Sequence, residues 1–145
     1  MKFALTAALV ASAQVAMASD KQYISGEVKT TAEYLYGRFV TRMAVPRQLG
    51  TNGSFYTFWP GPNWSDDAWN EIDIEIVPSL GDVAYSTNPI YGNGNNQGHS
   101  EDKEYLTSPD YENFHEYRFD WTPDYINYYL DGVLVRNVPS THRSV

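Results

Sequence analysis

The sequence predicts an all-β fold, an antiparallel β-sandwich. Short segments in which polar and apolar residues alternate recur along the chain, and residues that favour turns separate them. After the first 18 residues, no helical periodicity extends beyond about one turn. The 12 Tyr, 6 Phe and 4 Trp residues add side chains that are enriched in strands. Short strands at this spacing are typical of a sandwich.

The predicted strands follow one another with short connections. They are Ser25–Thr31, Arg38–Met43, Ser54–Trp59, an acidic strand at 71–76, Asp82–Thr87, Glu116–Trp121, Ile126–Leu130 and Val133–Val135. Three segments rich in Pro, Gly or Asn are predicted loops: Pro46–Gly53, Pro60–Asp67 and Tyr91–His99. Asp131-Gly132 predicts a type I′ turn between the last two strands, because both of its central positions require positive φ.

The acidic strand is the most informative stretch. Glu71, Asp73 and Glu75 alternate with isoleucines, so a strand places the three carboxyl groups on one face and the isoleucines on the other. Like charges in a row repel, and no Lys or Arg lies between them to neutralise them. One interpretation is an amphipathic strand whose acidic face meets water. The other is a site whose chemistry needs several carboxylates.

Composition restricts the class of ligand. The formal net charge of −8 argues against nucleic acid, because binding to phosphates requires a basic surface. Neutral polymers remain possible, and the many aromatic residues suit sugar faces as well as a β-rich core. The chain has no cysteine, so its fold stands without disulfides.

The N-terminus is typical of a secretory signal peptide. An apolar run from Phe3 to Val10 follows Lys2, and Ala16-Met17-Ala18 offers the small residues that a signal peptidase recognises. We expect residues 1–18 to be removed and the protein to be secreted, with cell-wall association as a further option. No membrane anchor is predicted, because the apolar run is too short to span a bilayer. The remaining residues, about 127, suffice for one domain.

Three blocks in the sequence resemble glycoside hydrolase family 16. They are 26–31 with 36–39 (GEVKTT and YGRF), 69–75 (WNEIDIE) and 114–121 (FHEYRFDW). The resemblance runs from about residue 23 to about residue 140, in family order. It implies a concanavalin A-like β-jelly roll with a concave sugar cleft. Family members usually have further strands on both sides, so we expect a partial domain, truncated at both ends.

The resemblance also implies roles for single residues. Glu71 corresponds to the nucleophile, Glu75 to the general acid/base and Asp73 to an assisting residue of a retaining mechanism. Trp69 corresponds to a residue that stacks under the sugar. Further substrate-binding positions are implied at Tyr56, Phe58, Glu27 and Asn88.

Geometry sets a condition on these roles. The two carboxyl groups of a retaining glycosidase lie about 5 to 5.5 Å apart. The Cα atoms of Glu71 and Glu75 would be about 13 Å apart on a straight strand, so the side chains must converge. The histidines His99, His115 and His142 lack ligand spacing, and we expect structural roles for them. No metal and no cofactor are predicted.

The sequence therefore predicts a secreted endo-β-glucanase that acts on β-1,3-1,4- or β-1,3-glucan by double displacement, as a monomer. Two alternatives stay open within the resemblance. One is a transglycosylase acting on cell-wall β-glucan or xyloglucan. The other is a noncatalytic β-glucan-binding module, which would not need all three acids. A nonfunctional fragment is a further possibility, and a cooperative melt would argue against it.

Overall fold

The computed structural model of the chain describes residues 25–61, 64, 68–92, 98–107 and 110–139. The predicted signal peptide and His142 lie outside these residues. The described residues fall into two units, one ending at Leu35 and the other beginning at Tyr36. No helix in the described ranges is long and apolar enough to cross a membrane.

The second unit is built from antiparallel strands, which confirms the all-β prediction. The strands are β1 (Gly37–Met43), β2 (Gly53–Trp59), β3 (Asn70–Ile76), β4 (Tyr85–Gly92), β5 (His99–Glu101), β6 (Glu104–Leu106), β7 (His115–Trp121), β8 (Tyr125–Leu130) and β9 (Val133–Pro139). One sheet has the order β1-β7-β8-β9. The other has the order β2-β3-β4, with both β5 and β6 on the free side of β4.

The core lies between the two sheets and is rich in isoleucine and tyrosine. Ile74 and Ile76 of β3 are 0% exposed, and they belong to one buried cluster with Phe119 of β7 and Tyr128 of β8. Rings from opposite sheets meet directly, with centroids 5.6 Å apart for Phe55 and Phe119. The apolar side of each alternating strand is thus the side that packs against the other sheet.

Two predicted strands are wrong in whole or in part. Ser25–Thr31 has irregular, exposed backbone, and Thr30 Oγ1 donates a hydrogen bond of 2.9 Å to the carbonyl of Ala32. Loose alternation does not form a strand by itself, because an extended backbone needs a partner for its polar groups.

The predicted strand Asp82–Thr87 begins too early, since a 3-10 segment occupies Pro78–Val83 and β4 starts at Tyr85. Pro78 favours that turn because its fixed φ suits the first helical position.

The predicted loop Tyr91–His99 is shorter than expected. β4 continues through Gly92 and β5 starts at His99. The two short strands that follow, β5 and β6, share one register on β4, because Ile90 pairs with Glu101 and Thr87 with Glu104. Asp102 and Lys103 lie in the interruption between them.

Pro89 explains this interruption. The carbonyl of Pro89 accepts a hydrogen bond of 3.2 Å from the amide of Asp102. In an antiparallel pair the return bond would come from the N–H of residue 89, which proline lacks. The N–H and the C=O of one strand residue point toward the same neighbouring strand. The N–H that Pro89 lacks would therefore have pointed toward β5 and β6, and the pairing of β4 with β3 is intact.

The final meander matches the prediction, including its turn. Asp131 and Gly132 have φ values of 49° and 79°, as a type I′ turn requires. A histidine fastens this turn to the start of β7: the Nδ1 of His115 lies 2.6 Å from the Asp131 carboxylate, and the Nε2 lies 2.9 Å from the Asp110 carbonyl. The role of His115 is structural, as expected.

The His115–Asp131 pair predicts pH-dependent stability. The hydrogen bond to Asp131 raises the pKa of His115 above its ordinary 6.5, and the same bond lowers the pKa of Asp131 below 3.8. The histidine contribution is complete below pH 6.5 and is lost as the pH rises through the folded-state pKa. The aspartate contribution is lost below about pH 4. His115→Gln should therefore lower the free energy of unfolding more at pH 5.5 than at pH 8.5, measured by urea denaturation.

Arg38→Gln is the matched control, because it breaks an exposed ion pair with Asp120 on the same sheet without removing a histidine. Its effect should be equal at the two pH values. Equal effects of His115→Gln at both pH values would contradict the assigned pair.

Candidate active site

The three acids of β3 lie together on the face of the sheet that points away from the core. Ile72, Ile74 and Ile76 fill the opposite face. Asp73 occupies the centre of the row, paired in register with Tyr56 of β2 on one side and Asn88 of β4 on the other. The pairing of β2, β3 and β4 thus brings together residues that are far apart in the chain, and alternation places them on one face.

Asp73 is buried and carries a proton at neutral pH. Its side chain is 6% exposed, and burial raises its pKa to about 9. A hydrogen bond with Glu71 and the charges of Glu71 and Glu75 act in the same direction, while Lys103 opposes them. A neutral Asp73 can donate its proton in a hydrogen bond to the carboxylate of Glu71, and this bond lowers the repulsion within the row.

Glu71 is held from its other side by an indole. The Nε1 of Trp69 donates a hydrogen bond of 2.8 Å to Oε2 of Glu71. Trp69 is partly exposed at the residue before β3, so its ring projects from the same face as the acids. The two donors fix the direction of the Glu71 carboxylate, which is the arrangement that a positioned nucleophile needs.

Glu75 has a different set of partners. Asn52 Nδ2 donates to its Oε1 at 2.8 Å, and Lys103 Nζ and Ser86 Oγ reach its Oε2 at 3.3 and 3.4 Å. None of these three donors is predicted by a local sequence pattern. Ser86 pairs with Glu75 across β3 and β4, and Asn52 directly precedes β2, so both follow once the strand pairing is known.

An aromatic row borders the acids. The Phe58 ring centroid is 5.9 Å from that of Trp64 and 6.3 Å from that of Trp69, and the Trp69 centroid is 4.5 Å from that of His99. Phe58 is 44% and Trp64 is 78% exposed, so apolar ring surface faces solvent beside the carboxyl groups. Exposed rings of this kind can stack on sugar faces. Trp64 and His99 were not predicted as site residues; Trp64 lies close to the acid strand in sequence, whereas His99 reaches Trp69 only through the pairing of β4 with β5.

The structure also places the other predicted binding residues. Tyr56 and Phe58 lie opposite Asp73 and Glu71, on the acidic face. Asn88 is 1% exposed, and its Nδ2 donates a hydrogen bond of 3.4 Å to Glu101 on β5. Glu27 belongs to the unit that ends at Leu35 and is exposed in irregular backbone. Sugar contacts by these four residues stay predictions.

The proton on Asp73 leads to a prediction about stability. A folded-state pKa raised from 3.8 means that folding takes up a proton above about pH 4, so Asp73 lowers stability progressively as the pH rises toward 9. Asp73→Asn keeps the size and the donor but removes the titration. The variant should have a higher free energy of unfolding than wild type at pH 8, by up to about 1.4 kcal/mol for each pH unit above 4, in urea denaturation.

The comparison at pH 3 is the control for this prediction, because most Asp73 carboxyl groups are protonated there in both the folded and the unfolded states. The gain should shrink toward zero at that pH. A variant that is less stable than wild type at pH 8 would show that the carboxyl group is charged in the folded protein.

The chain is similar in sequence to beta-glucanases of known name. The chain is 37% identical over 123 residues to a beta-glucanase of Acetivibrio thermocellus, covering 82% of this chain and 35% of that protein. It is 33% identical over 138 residues to a beta-glucanase of Fibrobacter succinogenes, covering 94% of this chain and 39% of that protein. The chain thus spans less than half the length of these two relatives.

Solved structures show the same fold. A Bacillus licheniformis beta-glucanase superimposes with a TM-score of 0.63 at 28% identity, covering 79% of this chain and 51% of that one. A lichenase derived from a mouse hindgut metagenome superimposes with a TM-score of 0.62 at 31% identity, covering 85% and 55%. The model of glycosyl hydrolases family 16 matches residues 3–144. The chain therefore belongs to family 16 of the glycosyl hydrolases.

Proposed function

We propose that this protein is a retaining endo-β-glucanase that hydrolyses β-1,3-1,4- or β-1,3-glucan. The observation that carries the proposal is the division of hydrogen bonds among the three acids. Glu71 is held by Trp69 and by the proton of Asp73, whereas Glu75 is held by Asn52 and Lys103. Two carboxyl groups in different surroundings suit two different chemical roles. The beta-glucanase names of the relatives support the substrate class.

In the first step, a Glu71 oxygen attacks the anomeric carbon of the sugar. The bond between that carbon and the leaving oxygen breaks, and Glu75 gives its proton to the leaving oxygen. Asp73 keeps its proton and donates a hydrogen bond to Glu71, which orients the attacking oxygen. The exposed ring of Phe58 and the partly exposed ring of Trp69 lie beside the acids and are suited to hold the glucan chain against them.

In the second step, ionised Glu75 takes a proton from water. The resulting hydroxide oxygen bonds to the anomeric carbon, and the ester bond to Glu71 breaks, so the sugar leaves with its original configuration. If a sugar hydroxyl replaces water, the same step forms a new glycosidic bond. The product mixture distinguishes hydrolysis from transglycosylation.

The Glu71→Gln variant tests the proposal. Wild-type protein should release reducing sugars from mixed-linkage β-glucan, and Glu71→Gln should lower kcat by at least about 1,000-fold, because the amide cannot form the ester intermediate. Glu112→Gln, which changes an exposed glutamate paired with Arg47, should keep wild-type activity. Laminarin and xyloglucan assayed alongside identify the preferred polymer.

Azide rescue assigns the two roles separately. Azide replaces water in the second step without needing a base, so Glu75→Ala with azide should form the β-glycosyl azide. In Glu71→Ala, azide replaces the nucleophile and should form the α-glycosyl azide. A folded protein that binds β-glucan but never cleaves it would overturn the enzyme proposal in favour of a binding module.

We also propose that the protein is secreted after removal of residues 1–18. The support is the apolar run and the small residues at Ala16 and Ala18. Expression with the native N-terminus in a secreting bacterial host should yield extracellular protein whose first residue is Ser19, as read by N-terminal sequencing. Protein that stays in the cell with Met1 intact would contradict secretion.

A further inference from the structure

A buried arginine connects the two sheets. The Arg136 side chain on β9 is 8% exposed, and its Nη1 donates hydrogen bonds of 2.9 Å to both the carbonyl and the hydroxyl oxygen of Thr87 on β4. Two carboxylates complete its surroundings: Nη2 lies 2.8 Å from Asp102, and Nε lies 2.8 Å from Glu104. A buried guanidinium with this many partners fixes the groups around it, because leaving any of them unpaired is costly.

The two carboxylates flank Lys103. Continuing the register of β5 and β6 on β4 pairs Asp102 with Pro89, Lys103 with Asn88 and Glu104 with Thr87. Alternation then directs Asp102 and Glu104 to the inner face, where Arg136 meets them. It directs Lys103 to the acidic face, in the same cross-strand row as Asp73.

The ladder holds this segment only weakly. Asp102 and Lys103 lie in the break opposite Pro89, between β5 and β6, where the Asp102 amide makes one backbone hydrogen bond to Pro89. The ion pairs of Arg136 add to that bond from the inner face. On the outer face, the Lys103 ammonium reaches Glu75 at 3.3 Å.

The pKa of Lys103 agrees with its contact to Glu75. Burial acts to lower the pKa of Lys103, yet the charge of Glu75 and the hydrogen bond to it raise the pKa above 10.5. The described charged and titratable groups around the pair are Asp73 on β3, Glu101 on β5 and Tyr105 on β6. Lys103 supplies the positive charge that faces these acidic groups.

We propose that Lys103 and Arg136 are positioning residues for Glu75: Arg136 fixes the Asp102–Glu104 segment, and Lys103 thereby orients the Glu75 carboxyl group for its exchange of a proton with the leaving oxygen and with water. The inference rests on the proposed function, since it assumes that Glu75 is the acid/base. The Lys103 ammonium lies 3.3 Å from Oε2 of Glu75, so its removal takes away a positive charge of the kind that favours a carboxylate over a carboxyl group.

The pH profile of kcat/KM tests the role of Lys103. Lys103→Met removes the ammonium and keeps most of the side-chain volume. The basic limb of the profile should move to higher pH by about 0.5 unit, the size expected for a partly exposed ion pair. Lys103→Arg should restore the wild-type limb, and Arg38→Met, an exposed cation on the other sheet, should not move it. A Lys103→Met profile that only drops in height would overturn the proposal.

The same test extends to Arg136. Arg136→Lys, which cannot hold two carboxylates and Thr87 together, should move the basic limb in the same direction as Lys103→Met. If this variant fails to fold, Glu104→Gln carries the same expectation, because it removes one half-exposed partner and leaves the others. An unchanged limb in a folded variant would overturn the role of Arg136.

A titration separates this inference from the proposed function. In wild-type protein labelled with ¹³C at glutamate carboxyl groups, the Glu75 signal is assigned by its loss in Glu75→Gln. The midpoint of that titration should rise in Lys103→Met and stay unchanged in Arg38→Met. This result stands even if wild-type protein cleaves no glucan, in which case the proposed function fails and the positioning by Lys103 survives. A midpoint that does not move would overturn the inference.

Discussion

Burial of the isoleucine face of β3 is the constraint on which the rest of the molecule depends. Ile72, Ile74 and Ile76 contribute about 1.5 to 3 kcal/mol each by leaving water. A slip of one residue would expose them and drive Glu71, Asp73 and Glu75 into the core, where unpaired carboxylates cost far more. The register of this strand is therefore strongly specified, and the positions of the acids are specified with it.

Placing three acids in a row creates a repulsion that the fold resolves with one proton and one cation. Asp73, at the buried centre, is neutral and joins Glu71 through a hydrogen bond. Lys103 meets the charge at the Glu75 end. The two outer glutamates have the same chemical group but different neighbours, and this difference supports assigning them different roles. Symmetric surroundings would have left the two roles unassigned.

Local sequence patterns predicted those parts of the fold that depend on neighbours in the chain. The alternation in β3, the final meander and the Asp131-Gly132 turn are of this kind. Asn52, Ser86 and Lys103 reach Glu75 only because three separate strands pair in one register, which no local pattern reveals. The Ser25–Thr31 strand failed for the converse reason, since none of the described strands pairs with that segment.

Pro89 makes the stretch between β5 and β6 depend on side chains more than on backbone pairing. The hydrogen-bonded ladder is incomplete there, so an insertion at Asp102 or Lys103 would sacrifice little backbone pairing. It would instead separate Asp102 or Glu104 from Arg136, and the cost would fall on those ion pairs. The acids on β3 depend on the opposite kind of anchor, because a shift of that strand would expose its isoleucines. One sheet thus holds two sides of the same site by different forces, apolar burial under the acids and ion pairing under Lys103.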